Sequence, residues 1–250
     1  MKNRYSEIFK DHVMLCKKAQ GASRELTGDI VVIIFYINDA ESRWTAQDME
    51  TYKATHTKAM QSLMNQARAC GANLNIRTAA CTLEVDMVCT VDNTSDWIRE
   101  ALGGYRKAKA ADYQQYYETK YGYDEAPIIF AFNKKFRCYA LSANVYYPST
   151  DEYSAVCKNS TVGTIMHELL HQFGANDYYY PADVAEAADK YMPKTVMRSS
   201  AYTEVDDLSK YIIGWTKEIS DKSALFLLNT QHHTINSIED AVRAEWKKWK

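Results

Sequence analysis

Apolar residues run almost without interruption through DIVVIIFYI, at positions 29 to 37. A short continuous run of β-branched and aromatic residues is typical of a strand that is buried on both faces. The next segment, from Thr45 to a glycine stop at Gly71, is rich in helix-forming residues. The pattern therefore predicts a strand followed by a long helix.

Alternation of apolar and polar residues returns between about 73 and 91, with a phase change near Ala79 and Ala80 that predicts a bulge or a break into two strands. A second long helix is predicted at about 95 to 121. The segments PIIFAF and FRCYALSA then predict an antiparallel hairpin, and EYSAVCK predicts one more strand. The predicted order is βαβαβββ.

Strands that alternate with long helices favour a sheet of parallel pairs, and the hairpin adds an antiparallel strand at an edge. The chain has no internal repeat, and its four prolines and nine glycines form no linker. We therefore expect one domain over residues 1–250, of class α/β (α+β), with a mixed, mostly parallel, twisted sheet.

A third helix follows the predicted sheet. Its apolar positions recur at helical spacing, Ser160 or Thr161 is the expected N-cap, and Gly174 is the expected stop; these apolar positions are Val162, Ile165, Met166, Leu169 and Phe173. This helix contains most of the stretch HELLHQFGAND, which runs from His167 to Asp177.

The spacing within this stretch is that of a metal site. Residues four apart lie one above the other on a helix, so His167 and His171 can hold one metal ion between them. Glu168 is rotated by about 100 degrees from His167, where it can act as a general base on water. Gly174 allows the sharp turn that brings Asp177 back as a third ligand. Three protein ligands with an open fourth position are typical of catalytic zinc sites.

Composition changes this picture little. A formal net charge of -2 gives no electrostatic reason to expect a nucleic acid or an anionic membrane as partner, and no apolar run approaches the length of a membrane helix. The first residues lack a secretory signal, so we expect a cytoplasmic protein if this N-terminus is native and a secreted one if a signal was removed. We also expect a monomer.

Six cysteines occur without a CxxC pair, which argues against a zinc-ribbon or dithiol redox motif in the sequence. Cys81 and Cys89 fall in phase with the apolar residues of CTLEVDMVCTV and are predicted to be core residues. We expect buried free thiols, whereas a disulfide would favour secretion.

HELLHQFGAND resembles the extended zinc motif of the metzincin metallopeptidases, HExxHxxGxxH, in the snapalysin-like variant whose last ligand is aspartate. The resemblance implies one catalytic Zn²⁺ held by His167, His171 and Asp177, with Glu168 as general base. It implies a sheet of about five strands, whose edge strand, here around 135 to 143, pairs with an extended peptide substrate. The implied activity is that of an endopeptidase.

The resemblance also implies a methionine turn beneath the metal. Met197, in MPKTVMRSS, is our choice, and Met192 is the lesser candidate because Pro193 follows it. Many metzincins carry a transition-state tyrosine two residues after this methionine, but here that position is Ser199. Tyr178, Tyr179, Tyr180 and Tyr202 are near enough in sequence to take the role, and Tyr178 and Tyr202 are our assignments.

The resemblance divides the domain into a sheet-and-helix part at about 29–177, which carries the zinc helix, and a helical C-terminal part at about 178–250, which carries the methionine turn. Two alternatives stay open. One is a zinc peptidase whose third ligand is Glu186, in the later helix around DVAEAAD. The other is a metal-binding interaction module that has this fold without proteolytic activity.

Overall fold

A computed structural model describes residues 4–15, 21–103, 110–143 and 151–230. Within them, five strands form one sheet in the order β2-β1-β3-β5-β4. The pairs β1–β2, β1–β3 and β3–β5 are parallel, and β4 pairs antiparallel with β5. The strands are β1 (Gly28–Asn38), β2 (Leu74–Glu84), β3 (Ile128–Phe132), β4 (Tyr139–Leu141) and β5 (Tyr153–Cys157). The predicted α/β fold, with a mostly parallel five-stranded sheet and an antiparallel edge strand, is confirmed.

The helices surround this sheet. They are α1 (Arg4–Ile8), α2 (Ala46–Ala69), α3 (Thr94–Gly103), α4 (Ala110–Tyr121), α5 (Val162–Gln172), α6 (Ala182–Tyr191), α7 (Asp207–Ile212) and α8 (Asp221–Asn229), with a short 3₁₀ turn at Val13–Leu15. The helix predicted at 95–121 corresponds to α3 and α4, and residues 104–109 between them lie outside the described residues. Over the described ranges, no helix combines the length and apolar character needed to cross a membrane.

Three local predictions were wrong. The strand β4 does not form a hairpin with β3, because β5 lies between them and pairs with both. The strand β2 continues without a break through Ala79 and Ala80, which stay in register with Ile33 and Ile34 of β1. Cys81 is exposed rather than buried, because β2 is the outer strand of the sheet and most of its residues face solvent.

Side chains of β1 enter two separate cores, one on each face of the sheet. Alternate residues from Ile30 to Tyr36 face a core shared with α2, α5 and the C-terminal helices. The intervening residues from Val31 to Ile37 face a smaller core shared with α3. Burial on both faces explains the continuous apolar run of β1.

The helix α5 is anchored firmly in the larger core. Ile165, Met166 and Leu169 are completely buried, and each such side chain contributes about 1.5–3 kcal/mol through removal of apolar surface from water. The hydroxyl of Thr161 accepts a hydrogen bond from the Thr164 amide and caps the helix. The side chains on the opposite face of α5 are therefore presented by a rigid element.

Gly163, in the first turn of α5, lies directly against the loop that follows Met197. A Cβ atom at Gly163 would lie 2.2 Å from the carbonyl oxygen of Ser200 and 2.3 Å from that of Tyr202. We expect Gly163→Ala to lower the free energy of unfolding by about 1–3 kcal/mol, because backbone atoms must move to relieve the clash. Thermal denaturation followed by circular dichroism measures this loss.

The matched control is Gly103→Ala at the end of α3, where an added Cβ meets no atom of the described residues within 4 Å. Alanine favours a helix by up to about 1 kcal/mol over glycine, so this control should melt at the wild-type temperature or above it. A Gly163→Ala protein that also melts at or above the wild-type temperature would contradict the close packing of α5 against this loop.

Candidate metal centre

Three side-chain atoms converge where α5 meets the segment that follows it. The Nε2 atoms of His167 and His171 are 3.1 Å apart. The Oδ1 atom of Asp177 lies 3.1 Å from each of them. Four ligands at about 2.0–2.1 Å around a tetrahedral zinc ion are separated from one another by about 3.3 Å. The size of this triangle therefore fits a small divalent ion.

Backbone carbonyls determine which imidazole nitrogens are free to bind a metal. The Nδ1 atom of His167 lies 2.9 Å from the Val196 carbonyl oxygen, and that of His171 lies 2.7 Å from the Ala175 carbonyl oxygen. A carbonyl only accepts hydrogen bonds, so each Nδ1 carries the hydrogen and each neutral ring keeps its lone pair on Nε2. Both lone pairs point into the triangle.

Asp177 completes this set of electron-pair donors. Its Oδ1 atom is buried and has no hydrogen-bond donor, which is consistent with two Nε2 atoms that carry no hydrogen. Burial acts to raise the pKa of Asp177. Its contacts with both imidazoles and with Tyr179 lower the pKa more, so that it stays below the usual range for a carboxyl group and the carboxylate is charged. A cation placed between these three atoms would be bound by both imidazole nitrogens and by the charged carboxylate. The donor set therefore fits a bound metal ion.

The turn after α5 directs Asp177 toward the histidines. Gly174 has a φ of +97°, and its amide donates to the His171 carbonyl. The Ala175 amide donates to the Leu170 carbonyl, and the Ala175 carbonyl in turn accepts from the His171 ring. Glycine adopts this left-handed conformation without a Cβ clash. The geometry of Gly174 agrees with the role predicted for it.

Glu168 is next to this triangle, outside the short His–His–Asp contacts. His167, Glu168 and His171 form a group that could hold a metal ion, with ligand atoms within 4.8 Å of one another. The Glu168 side chain is buried, which raises its pKa; the nearby Asp177 raises it further, and the two histidines and Arg137 oppose the shift. Glu168 therefore lies close enough to both histidines to act at the same ion.

Met197 lies in a tight turn next to His167. It is completely buried, and its carbonyl accepts a hydrogen bond from the Tyr178 amide. The preceding residue, Val196, provides the carbonyl that orients the His167 ring. Met192 instead ends α6. Met197 is thus one residue along the chain from the carbonyl that His167 contacts.

The two tentative tyrosines do not line the centre. Tyr178 is fully buried, and its hydroxyl lies 3.2 Å from the Ser209 hydroxyl and donates to Asp206 at 3.4 Å. Tyr202 is exposed and is not among the residues of the cleft around the histidines. The tyrosine at the centre is Tyr179, whose hydroxyl donates to Asp177 Oδ2 at 2.8 Å.

Sequence spacing gave no reason to prefer Tyr179 over its neighbours, because residues 178 to 180 are all tyrosines. Their directions depend on the chain path after Gly174: Tyr178 points into the core, Tyr179 toward the metal ligands, and Tyr180 is 76% exposed. The ring centroids of His167 and Tyr179 are 6.4 Å apart, with nearly parallel planes.

Glu186, the alternative third ligand, is exposed on α6 and does not line the cleft. The structure therefore does not support the alternative that uses Glu186, and Asp177 is the third residue that meets the two histidines.

A cleft of about 260 Å³ opens over the centre. One wall contains the candidate ligands His167, His171 and Asp177, together with Glu168 and Tyr179. The other wall comes from the segment around β4, and its residues are Arg137, Cys138, Tyr139, Ala140 and Ser142. Since β4 is the last strand of the described sheet, one of its edges has no strand partner within that sheet. The metal centre thus faces a strand edge across a narrow cleft.

No protein-family profile matches this chain, and no curated protein is significantly similar to it.

Proposed function

We propose that this protein is a zinc-dependent endopeptidase that resembles the metzincins. The observation that carries the proposal is the His167–His171–Asp177 triangle, with edges of 3.1 Å, beside the buried Glu168. Two neutral imidazole nitrogens and one carboxylate oxygen are a donor set typical of catalytic zinc, which keeps a further position open. A purely structural zinc site has four protein ligands and has no need of an adjacent glutamate.

The chemistry proposed for the cleft is hydrolysis of a peptide bond. A bound Zn²⁺ supplies Lewis acidity, which polarises a carbonyl group and makes a water molecule more acidic. The Glu168 carboxylate accepts a proton from the attacking water and then delivers it to the nitrogen of the leaving amine. The Nδ1 hydrogens of His167 and His171 stay bonded to backbone carbonyls, which leaves Nε2 of each ring as the atom that would hold the ion.

The substrate proposed for this cleft is an extended peptide segment. The free edge of β4 offers main-chain hydrogen-bonding groups, and Tyr139 and Ala140 of this strand line the cleft opposite the metal ligands. A peptide that pairs with this edge adds a strand to the sheet. Its carbonyl groups then pass close to Glu168 and to the triangle.

Cleavage of a diverse peptide library tests the proposal directly. We expect cleavage by the zinc-loaded protein, loss of cleavage after treatment with a chelator, and recovery when zinc is restored. A protein that holds one equivalent of zinc and cleaves no member of the library would instead favour the metal-binding interaction module.

Tyr179 is proposed to position Asp177. Its hydroxyl donates a hydrogen bond to Asp177 Oδ2, and this contact keeps Oδ1 directed at the two imidazoles. We expect Tyr179→Phe to weaken zinc binding about tenfold, the lower end of the effect of losing a hydrogen bond to a metal ligand, because Tyr179 is half exposed to water. Competition with a zinc-sensitive chromophoric chelator measures this change.

The matched control is Tyr180→Phe, which removes a hydroxyl from the neighbouring and more exposed tyrosine. We expect its zinc affinity to equal that of the wild type. Equal affinities for wild type, Tyr179→Phe and Tyr180→Phe would refute the positioning role of Tyr179 and leave the peptidase proposal intact.

A further inference from the structure

Two cysteines meet in the wall of the cleft that lies opposite the metal ligands. Cys138 lines the cleft and immediately precedes β4, whereas Cys157 is the last residue of β5. Their Sγ atoms are 3.9 Å apart, and both side chains are partly exposed. A disulfide has an S–S length of about 2.05 Å, so rotation of the two side chains has to close a gap of about 1.9 Å.

The surroundings of the pair favour a thiolate on Cys157. The Cys138 thiol donates a hydrogen bond to Cys157 Sγ, and the Ser160 hydroxyl lies between the two sulfurs, 3.4 Å from Cys138 Sγ and 3.7 Å from Cys157 Sγ. The hydrogen bond from Cys138 lowers the pKa of Cys157 below that of an ordinary thiol, although burial opposes the shift. A thiolate with a second thiol in contact is the arrangement that performs thiol–disulfide exchange.

We propose that Cys138 and Cys157 form a reversible dithiol–disulfide site whose oxidant is a low-molecular-weight disulfide such as glutathione disulfide. The Cys157 thiolate attacks one sulfur of the oxidant, forms a mixed disulfide and releases one glutathione. Cys138 then loses its proton and attacks Cys157 Sγ, which releases the second glutathione. The two protein sulfurs are oxidised and one glutathione disulfide is reduced to two thiols; one of their protons comes from Cys138, and the other comes from the solvent, to which Cys157 lost its proton on ionising.

The disulfide would join the start of β4 covalently to the end of β5. The described β4 is only three residues long, and β5 is its one strand partner in the described sheet. A covalent bond at Cys138 restrains the wall of the cleft that precedes Tyr139. The inference does not depend on the metal centre or on peptidase activity.

Redox titration of the whole protein tests the proposal. The protein is equilibrated in buffers of increasing glutathione disulfide, quenched with an alkylating reagent, digested and mapped by mass spectrometry. We expect a cross-linked peptide that contains Cys138 and Cys157, that increases with the oxidant and that is lost on reduction. The proposal is overturned if both cysteines stay fully alkylated under conditions in which the exposed Cys81 is modified by glutathione.

Two variants separate this exchange from general thiol reactivity. Cys138→Ser should accumulate a stable glutathione adduct on Cys157, because the second thiol is missing, whereas Cys81→Ser should form the Cys138–Cys157 cross-link as the wild type does. Equal accumulation of the Cys157 adduct in wild type and in Cys138→Ser would overturn the pairing. Oxidation should also raise the melting temperature of the wild type by several degrees and leave that of Cys138→Ser unchanged.

Discussion

Glu168→Gln should retain one equivalent of zinc and lose peptide cleavage by about 10²- to 10⁴-fold, which is the range that general base catalysis contributes. Glutamine has nearly the same size as glutamate, so the buried site around Glu168 should keep its packing. An amide does not accept a proton from water at neutral pH. The expected change is therefore a fall in kcat with a much smaller change in KM.

Initial rates on the best peptide from the library, with zinc content measured on the same samples, test this expectation. Glu186→Gln is the matched control, because it makes the same change at an exposed glutamate outside the cleft, and it should cleave at the wild-type rate. If Glu168→Gln cleaves within threefold of the wild type while zinc is bound, Glu168 is not the base and the proposed mechanism fails.

The parts of the fold that could be predicted are those in which local pattern and burial agree. The helix α2 ends close to the predicted limits, since Thr45 caps it and Gly71 follows it with a positive φ. The strand β1 was equally clear, because both of its faces are buried. In these elements the local preference of the sequence and its tertiary environment favour the same structure.

The order of strands in the sheet could not be read in the same way. The pairing of β4 with β5 instead of β3 joins strands separated by residues 142–152, and periodicity carries no information about which edge a strand joins. The continuous β2 was also missed. An outer strand with exposed residues on both faces, such as Thr78 and Cys81, has no alternation from which its phase can be read.

In the candidate site, too, the features set by local geometry could be predicted, whereas the features set by tertiary contacts could not. The helical spacing of His167 and His171 depends only on local geometry, and the structure brings their Nε2 atoms together as that spacing predicts. Tyr179 and Gly163 act through contacts with distant or turning segments, such as Gly163 with the carbonyl of Ser200. Contacts of this kind depend on tertiary structure, which single-sequence patterns do not specify.

Removal of the metal should lower the stability of the wild type and leave that of Asp177→Asn nearly unchanged. Ligand binding to the native state contributes RT ln(1 + [L]/Kd), or about 4 kcal/mol when free zinc is 1,000 times its Kd. For a chain of this size we expect the chelator to lower the wild-type melting temperature by about 10 °C. Replacement of the anionic Asp177 Oδ1 by a neutral amide weakens zinc binding, so little of this stabilisation remains to be lost.

Asp177→Asn also tests which residue is the third ligand. The apo form of this variant should be less stable than the apo wild type, because the fold holds the pKa of Asp177 below its usual range and so stabilises the charged carboxylate that the variant lacks. Differential scanning calorimetry with and without chelator gives the melting temperatures of the wild type and of both variants. The matched control, Glu186→Gln, should respond to the chelator as the wild type does. If Asp177→Asn keeps the full chelator-dependent shift while Glu186→Gln loses it, Glu186 is the ligand and the triangle formed by His167, His171 and Asp177 is not the zinc site.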